Sequence, residues 1–338
     1  MVGTRDTNRE MVRGILRQGG VHTKATLAER TGLTQVTCAA IVSELIEAGE
    51  VRELDSLTRG GRPARRFELI PDHRLAVLIV FESEHLHCNL PLAFRCRVVD
   101  LLGKVRAEEL VDCGSAATPA RLYQLLAKLK KSYPALASVA ISFPGPVARG
   151  VVGTGGDERF AAFFGIDLVR EIAERTRLEA AVANDMNLAA LGYYRKNAAA
   201  LPETFAYLGH HPNTLPGCGL VVNGRILEGA GGFAGEVKYL CTSLKQREQI
   251  LLLASRAERR KLIVRTICAL TAILNPACIV LSGETFCDPP FIRDIRKDCA
   301  AVIPDSFLPR LVIQDEWLAD IWDGLSALAH ISLTNERS

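Results

Sequence analysis

Residues 31–45 read TGLTQVTCAAIVSEL, and their spacing predicts the second half of a helix-turn-helix. Gly32 ends one helix, because glycine tolerates a left-handed cap, and Thr34 caps the next. In that next helix Cys38, Ile41, Val42 and Leu45 fall at i, i+3, i+4 and i+7, which makes one buried stripe and places Cys38 in a core. The opposite side carries Gln35, Val36, Thr37, Ala39, Ala40 and Ser43, slim enough to enter a DNA major groove. Upstream, Thr23 caps a helix holding Leu27 and Ala28. Asn8 is expected to cap a first helix with Met11, Val12, Ile15 and Leu16 on one face, closed by Gly19-Gly20. Downstream of Gly49, residues 51–54 and 66–70 alternate as paired strands do. Between them LTRGGRPAR (57–65) sets Arg59, Arg62 and Arg65 on a thin loop with no acid nearby, suited to phosphates or a narrow minor groove. Any one arginine alone reads as a solvated charge. Three helices at this spacing followed by an arginine-rich hairpin point to a winged helix-turn-helix and a double-stranded DNA operator as partner. The DNA-contacting candidates are Thr34, Gln35, Thr37, Ser43, Arg59, Arg62 and Arg65.

The chain's 338 residues, 48% hydrophobic and 23% charged, leave room for two or three globular domains. No apolar run approaches the roughly 18 residues of a membrane span. The opening MVGTRDTNREMVRG is polar and mixed in charge, unlike a secretory signal. Ten cysteines, scattered and without a C-x-x-C pair, fit reduced thiols in a cytoplasm better than a disulfide framework. A net charge of +3 is too small to identify a partner; the placement of the charges carries more information.

Beyond a linker at Pro71-Asp72 the pattern changes to strands alternating with helices. Residues 75–81 form a nearly continuous apolar run, a β segment lies within 87–99, and 100–103 make a turn. A helix at 121–131 precedes a strand at 138–142 that runs into Phe143-Pro144-Gly145. A helix at 167–176 precedes a strand at 179–183 that ends in Asn184-Asp185-Met186-Asn187. A hairpin at 220–226, the glycine-rich GAGGFAGE, a long helix through Leu262 to Leu274 and a strand at 278–281 complete the pass. Such alternation implies layered α/β packing.

Several of these pieces resemble the ROK family (repressors, open reading frames and sugar kinases), in its repressor branch with an N-terminal winged helix. They are TGLTQVT and GGRPARRFEL in the head, SFPGPV and ANDMNLAAL in the middle, then VVNGRILEGAGGFAGEV and ILNPACIVLSGE. The resemblance spans nearly all of residues 8–330. It implies a winged helix domain over residues 1–72 and a two-lobed, actin-like (ribonuclease H-like) α/β body. The lobes would cover 73–185 and 186–338, with a sugar or sugar-derivative effector in the cleft between them. It also implies a homodimer, to match two operator half-sites. By position, Asp185 matches the family kinases' general base, Asn184 a sugar-binding amide and Glu236 a glutamate that holds sugar hydroxyls. A carboxylate can accept two hydroxyl hydrogen bonds and take a proton, so the chemistry is coherent. An Asn-Asp pair after a strand also serves as a turn or helix N-cap, and Glu236 as a solvated loop acid.

The departures from the family separate regulator from kinase. Phosphoryl transfer needs backbone amides and glycines against the phosphates. The family's Asp-x-Gly-Gly-Thr turn is replaced by FESEH (81–85), which has two carboxylates and no glycine. The second phosphate loop reads NTLPGC (213–218), and a double glycine after the 278–281 strand is reduced to Ser282-Gly283. No nucleotide cofactor and no kinase activity are therefore expected. The family's zinc-binding histidine corresponds to Tyr239, and Cys241 is the one cysteine that follows within the next few residues, so no structural zinc is expected. Tyr239 remains a candidate hydrogen-bond donor to the ligand. The segment GTGGDERFAAFFG (153–165) also departs from the family's sugar-contacting sequence. The alternatives are an ATP-dependent sugar kinase, or a DNA-binding protein whose ligand-free body serves only dimerisation.

Overall fold

The computed structural model describes residues 4–55, 65–83, 92–114, 117–155, 158–212, 214–240 and 246–334. The N-terminal unit holds α1 (Thr4–Leu16), β1 (His22–Thr23), α2 (Lys24–Thr31), α3 (Gln35–Glu47), β2 (Val51–Leu54) and β3 (Arg66–Leu69). Thr23 and Thr26 form a reciprocal capping box at the start of α2, and Gly32 closes it at φ 72°. Thr34 accepts from the Thr37 amide to cap α3. Cys38, Ile41, Val42 and Leu45 are buried against Val12, Leu16, Leu27 and Phe67, as their spacing requires. Beneath them Arg13 is 3% exposed and reaches Glu50 with both Nε (2.9 Å) and Nη2 (2.5 Å).

Three details of this unit differ from the sequence reading. Asn8 does not cap α1, which already runs from Thr4; Asp6 sits in its first turn, and Arg9 pairs with Asp6. An acid there complements the helix dipole, so helix precedes the better capping residue. Strand β1 is only two residues long, too short to show a period, yet it pairs antiparallel with β3 to make a three-stranded sheet, β1-β3-β2. Arg65 is not free of acids: the β2–β3 pairing brings Glu53 across the hairpin to 3.2 Å from its Nη1. Arg59 and Arg62 lie outside the described residues.

A short turn at Pro71–His73 joins this unit to the body. Arg106 pins it there, with Nε 2.8 Å from Asp72 and Nη2 2.9 Å from the buried Asp100. The first sheet contains β4 (Leu75–Ser83), β5 (Leu92–Val99), β6 (Val105–Gly114), β7 (Leu136–Phe143) and, past the small pair β8 (Val147–Ala148) and β9 (Val151–Val152), β10 (Glu179–Asn184). Its order is β10-β7-β4-β5-β6, with β10, β7 and β4 parallel and β5 and β6 antiparallel. Helices α4 (Pro119–Ser132) and α5 (Leu168–Thr176) cover it, and Phe81, Phe94, Phe143, Phe160 and Phe163 stack in its core. The edge strand β6 was not foreseen because its charged residues hide the apolar alternation.

Helix α6 (Asp185–Asn197) leads into the second half: β11 (Phe205–Gly209), β12 (Gly217–Val222), β13 (Arg225–Ile226), α7 (Gln246–Leu253), α8 (Arg256–Ile273), β14 (Cys278–Ser282), α9 (Pro289–Ala300), β15 (Arg310–Gln314) and α10 (Trp317–Thr334). The second sheet runs β13-β12-β11-β14-β15, with β12 antiparallel to both neighbours and β11, β14 and β15 parallel. Asn223 (φ 51°) and Gly224 (φ 72°) give the β12–β13 hairpin the left-handed pair its tight turn needs. Helix α10 does not stay with the second sheet. It packs along α6 and against β7, β4 and β10 of the first.

The α6–α10 crossing is close because each helix places a glycine in it. A Cβ on Gly192 would collide with the Asp320 carbonyl and lie 2.7 Å from the Gly324 amide; one on Gly324 would strike the Leu188 carbonyl. Below the crossing Asp320 is fully buried, and its Oδ2 accepts from the Tyr207 hydroxyl at 2.7 Å and the Gln314 amide at 2.8 Å. Backbone cannot yield as a flexible side chain does, so Gly192→Ala is expected to cost about 3 kcal/mol of unfolding free energy. Urea unfolding of the variant beside the parent checks this; Gly14→Ala, where a Cβ meets nothing within 4 Å, is the control and should be near neutral or stabilising.

Candidate functional site

On α3 the residues chosen from the sequence sit on the outer face. Thr34, Gln35, Val36 and Ser43 are exposed and Thr37 is half-buried. The Thr34 and Thr37 hydroxyls bond each other at 2.9 Å, and Ser43 donates to the Ala39 carbonyl at 3.0 Å. These short hydroxyls hold the helix's own turns, which leaves Gln35, beside an 80% exposed Val36, as the long hydrogen-bonding group on the face.

In the body, four candidates come from two places in the chain. Asn184 ends β10 and caps α6: its Oδ1 accepts from the Met186 amide (2.9 Å) and the Asn187 amide (3.1 Å), while its Nδ2 donates to the Gly145 carbonyl (3.0 Å). The side chain thus ties the strand end to the Pro-Gly turn. Asp185, the first residue of α6, accepts from the Met186 amide at 2.8 Å. Burial raises its pKa to about 7; the Met186 amide and the Lys238 charge oppose the rise, and the Glu236 charge adds to it. Glu236 reaches the same place from the glycine-rich loop. Gly235 (φ 89°) allows this, because a side chain there would strike the Cys218 carbonyl of β12. Gly232 in turn lies against the Val147 carbonyl, so the loop touches the first lobe. Tyr239 is 49% exposed, stacks near Phe233 at 5.2 Å, and brings its hydroxyl over Gly155.

Sequence reading missed a fifth member, Lys238. It is 8% exposed, and its Nζ lies 2.8 Å from Glu236 Oε2 and donates to the Gly155 carbonyl at 2.7 Å. A lysine two residues after a glutamate gives no sign in sequence of turning inward. The signal only exists once Gly235 and the short helical turn Val237–Leu240 fold the segment back.

The loops that the family resemblance assigns to a nucleotide are bonded to each other. The His210 amide donates to the Ser282 carbonyl (3.0 Å), and its ring joins Thr285 Oγ1 through Nδ1 (2.8 Å) and the Thr214 carbonyl through Nε2 (3.2 Å). A carbonyl only accepts, so Nε2 carries the proton and Nδ1 accepts from the Thr285 hydroxyl. Burial lowers the His210 pKa to about 3, which keeps the ring neutral. Gly283 (φ 103°) has the His210 carbonyl 2.5 Å from where its Cβ would be. Nearer the first strand, Glu82 is held by Arg95 at 2.5 Å, while residues 84–91 lie outside the described part. Among the described residues no three His, Cys, Asp or Glu side chains group as a metal site; Cys241 lies outside them.

Comparison with known proteins fits this geometry. The ROK family model matches residues 93–243. A ROK family transcriptional regulator, described as a homologue of the E. coli MLC protein, has a similar fold at 17% identity and TM-score 0.70, covering 98% of each chain. A ROK family glucokinase from Streptomyces griseus, solved with glucose and AMPPNP, matches at 16% identity and TM-score 0.52 over 76% of this chain and 98% of its own. The ROK hexokinase from Thermus thermophilus matches at 15% identity and TM-score 0.53 over 77% and 99%. No curated protein matches by sequence. No described helix is long and apolar enough to cross a membrane.

The raised pKa of Asp185 has a stability consequence. Between its ordinary carboxylate value and about 7 the unfolded chain has lost the proton and the folded one keeps it, so stability falls as pH rises through that window. Asp185→Asn keeps the acceptor for Met186 without the charge. It is expected to match the parent below pH 4 and to exceed it by about 4 kcal/mol above pH 7. Thermal melts across pH 4–8 test this; an equal difference at both ends would contradict it.

Proposed function

We propose that this chain is a DNA-binding transcriptional regulator, a repressor, that works as a homodimer in the cytoplasm. Its winged helix-turn-helix over residues 1–72 reads an operator, and its lobes over 73–185 and 186–338 take a sugar or sugar-derivative effector between them. The observation that carries this is the extent of the likeness. The regulator's fold covers 98% of this chain, whereas the two kinases cover about three quarters of it and nearly all of themselves. What the kinases leave unmatched is about the size of the N-terminal unit.

The head has the physical form that operator reading needs. Its third helix is packed from below by Cys38, Ile41, Val42 and Leu45, so Gln35 and Thr37 are presented on a rigid support. Thr34 and Ser43 stabilise the helix and face the same side, and Arg59, Arg62 and Arg65 belong to the hairpin that would reach phosphates or the minor groove. Arg65 makes that contact by exchanging Glu53 for a phosphate.

In the body, Asn184, Asp185, Glu236 and Tyr239 form the effector site. The protein acts there without phosphoryl transfer, since His210, Ser282, Gly283 and Thr285 close on one another where a nucleotide's phosphates would need open backbone amides. The effector acts by preferring one arrangement of the lobes and so one spacing of the two heads.

Fluorescence anisotropy with DNA from upstream of the chain's own coding sequence tests the reading. Gln35→Ala is expected to weaken operator binding about 10-fold while leaving random-sequence DNA unchanged. Arg59→Ala and Arg62→Ala are expected to weaken both and to reduce the salt slope by about one each. Equal affinity for operator and random DNA in the parent, or ATP-dependent phosphorylation of a hexose by the pure protein, would refute it.

A further inference from the structure

Lys238 changes what the cleft can hold. Its ammonium bridges the two halves of the body, bonded to Glu236 in one and to the Gly155 carbonyl in the other, and its side chain is 11% exposed. An ammonium-to-carboxylate hydrogen bond is stronger than a neutral hydroxyl's. A sugar hydroxyl that takes Glu236 Oε2 must therefore displace Lys238 from that oxygen. Doing so with a neutral sugar strands a buried positive charge, among the least favourable outcomes in a protein interior. A ligand that brings its own negative group avoids this, because the displaced ammonium finds a new partner on the ligand.

We infer that Lys238 sets the ligand class of the cleft: a polyhydroxyl compound bearing one acidic group, a carboxylate or a phosphate. The acid pairs with the Lys238 ammonium while the hydroxyls take Glu236 and Asp185. This rests on the reading of the cleft as the effector site and narrows it. Asp185 suits such a ligand, since burial raises its pKa to about 7 and its protonated form can donate to the ligand where a carboxylate would repel its acid. Tyr239, whose hydroxyl lies over Gly155, adds a neutral donor.

The test is titration calorimetry of the full chain at pH 7. The probes are glucose, galactose and mannose, their uronic acids and their 6-phosphates, which separates carboxylate from phosphate. At least one acidic compound is expected to bind 10-fold or more tightly than its neutral parent. Lys238→Met should abolish that advantage, so that each acid binds no tighter than its neutral parent. Lys238→Gln, which keeps a donor for the Gly155 carbonyl but no charge, should do the same and serves if the Met variant does not fold. A neutral hexose that binds as tightly as its acids, or an acid advantage that survives both substitutions, overturns the inference and leaves the effector site standing. No binding by any probe overturns both, while operator binding by the same sample would still stand.

Discussion

The body depends on two helices being allowed to touch. Helix α6 carries Asp185 at its first position and lies on β12 and β11 of the second sheet; helix α10 lies on β7, β4 and β10 of the first. Gly192 and Gly324 let their backbones meet, and Gly219 does the same between α6 and β12, where a Cβ would run into the Met186 carbonyl. Small residues at three contacts thus set the distance between the sheets. They also aim the start of α6 at the glycine-rich loop that bears Glu236. A looser crossing would move Asp185 away from Glu236 and Lys238, so the electrostatics of this cluster follow from helix packing some turns away.

The cluster of Asp185, Glu236 and Lys238 is a balance of three charges. Glu236 and Lys238 neutralise each other at 2.8 Å, and Asp185 is left as the group whose ionisation is penalised by burial. Asn184 joins β10, α6 and the Gly145 turn, and so places Asp185. Of the two readings of this dipeptide, the helix cap is met by Asn184, which leaves Asp185 as the residue the ligand-site proposal rests on.

Much of this was legible from sequence where local chemistry decides. The buried stripe of α3, the caps Thr23, Gly32 and Thr34, and the strand ending at Asn184 follow from period and capping alone. Features set by distant contacts were not legible. Strand β6 exists because β5 offers it an edge, β1 because β3 does, and Glu53 meets Arg65 only through the hairpin register. The motif GGFAGEV marked Glu236, but Lys238 looks like any surface lysine until the turn after Gly235 carries it inward. His210 was invisible for the same reason: its partners Thr285 and Ser282 lie more than seventy residues away in sequence.

The link between cleft and head is short and stiff. The linker turn is fixed to the first lobe by Arg106 with Asp72 and Asp100, and by the Leu101 amide on the Pro71 carbonyl at 3.1 Å. One buried cluster continues from Val12, Leu27 and Leu69 through Ala76 and Leu78 to Leu188 and Leu325. A close-packed core transmits displacement and does not absorb it. The head therefore moves with the first sheet. In the function proposed above, an effector that draws Glu236 and Lys238 toward Asp185 would turn the second half of the body against that head-and-sheet unit. The hydrogen bond from Lys238 to the Gly155 carbonyl is the contact that ties the two halves together at this point.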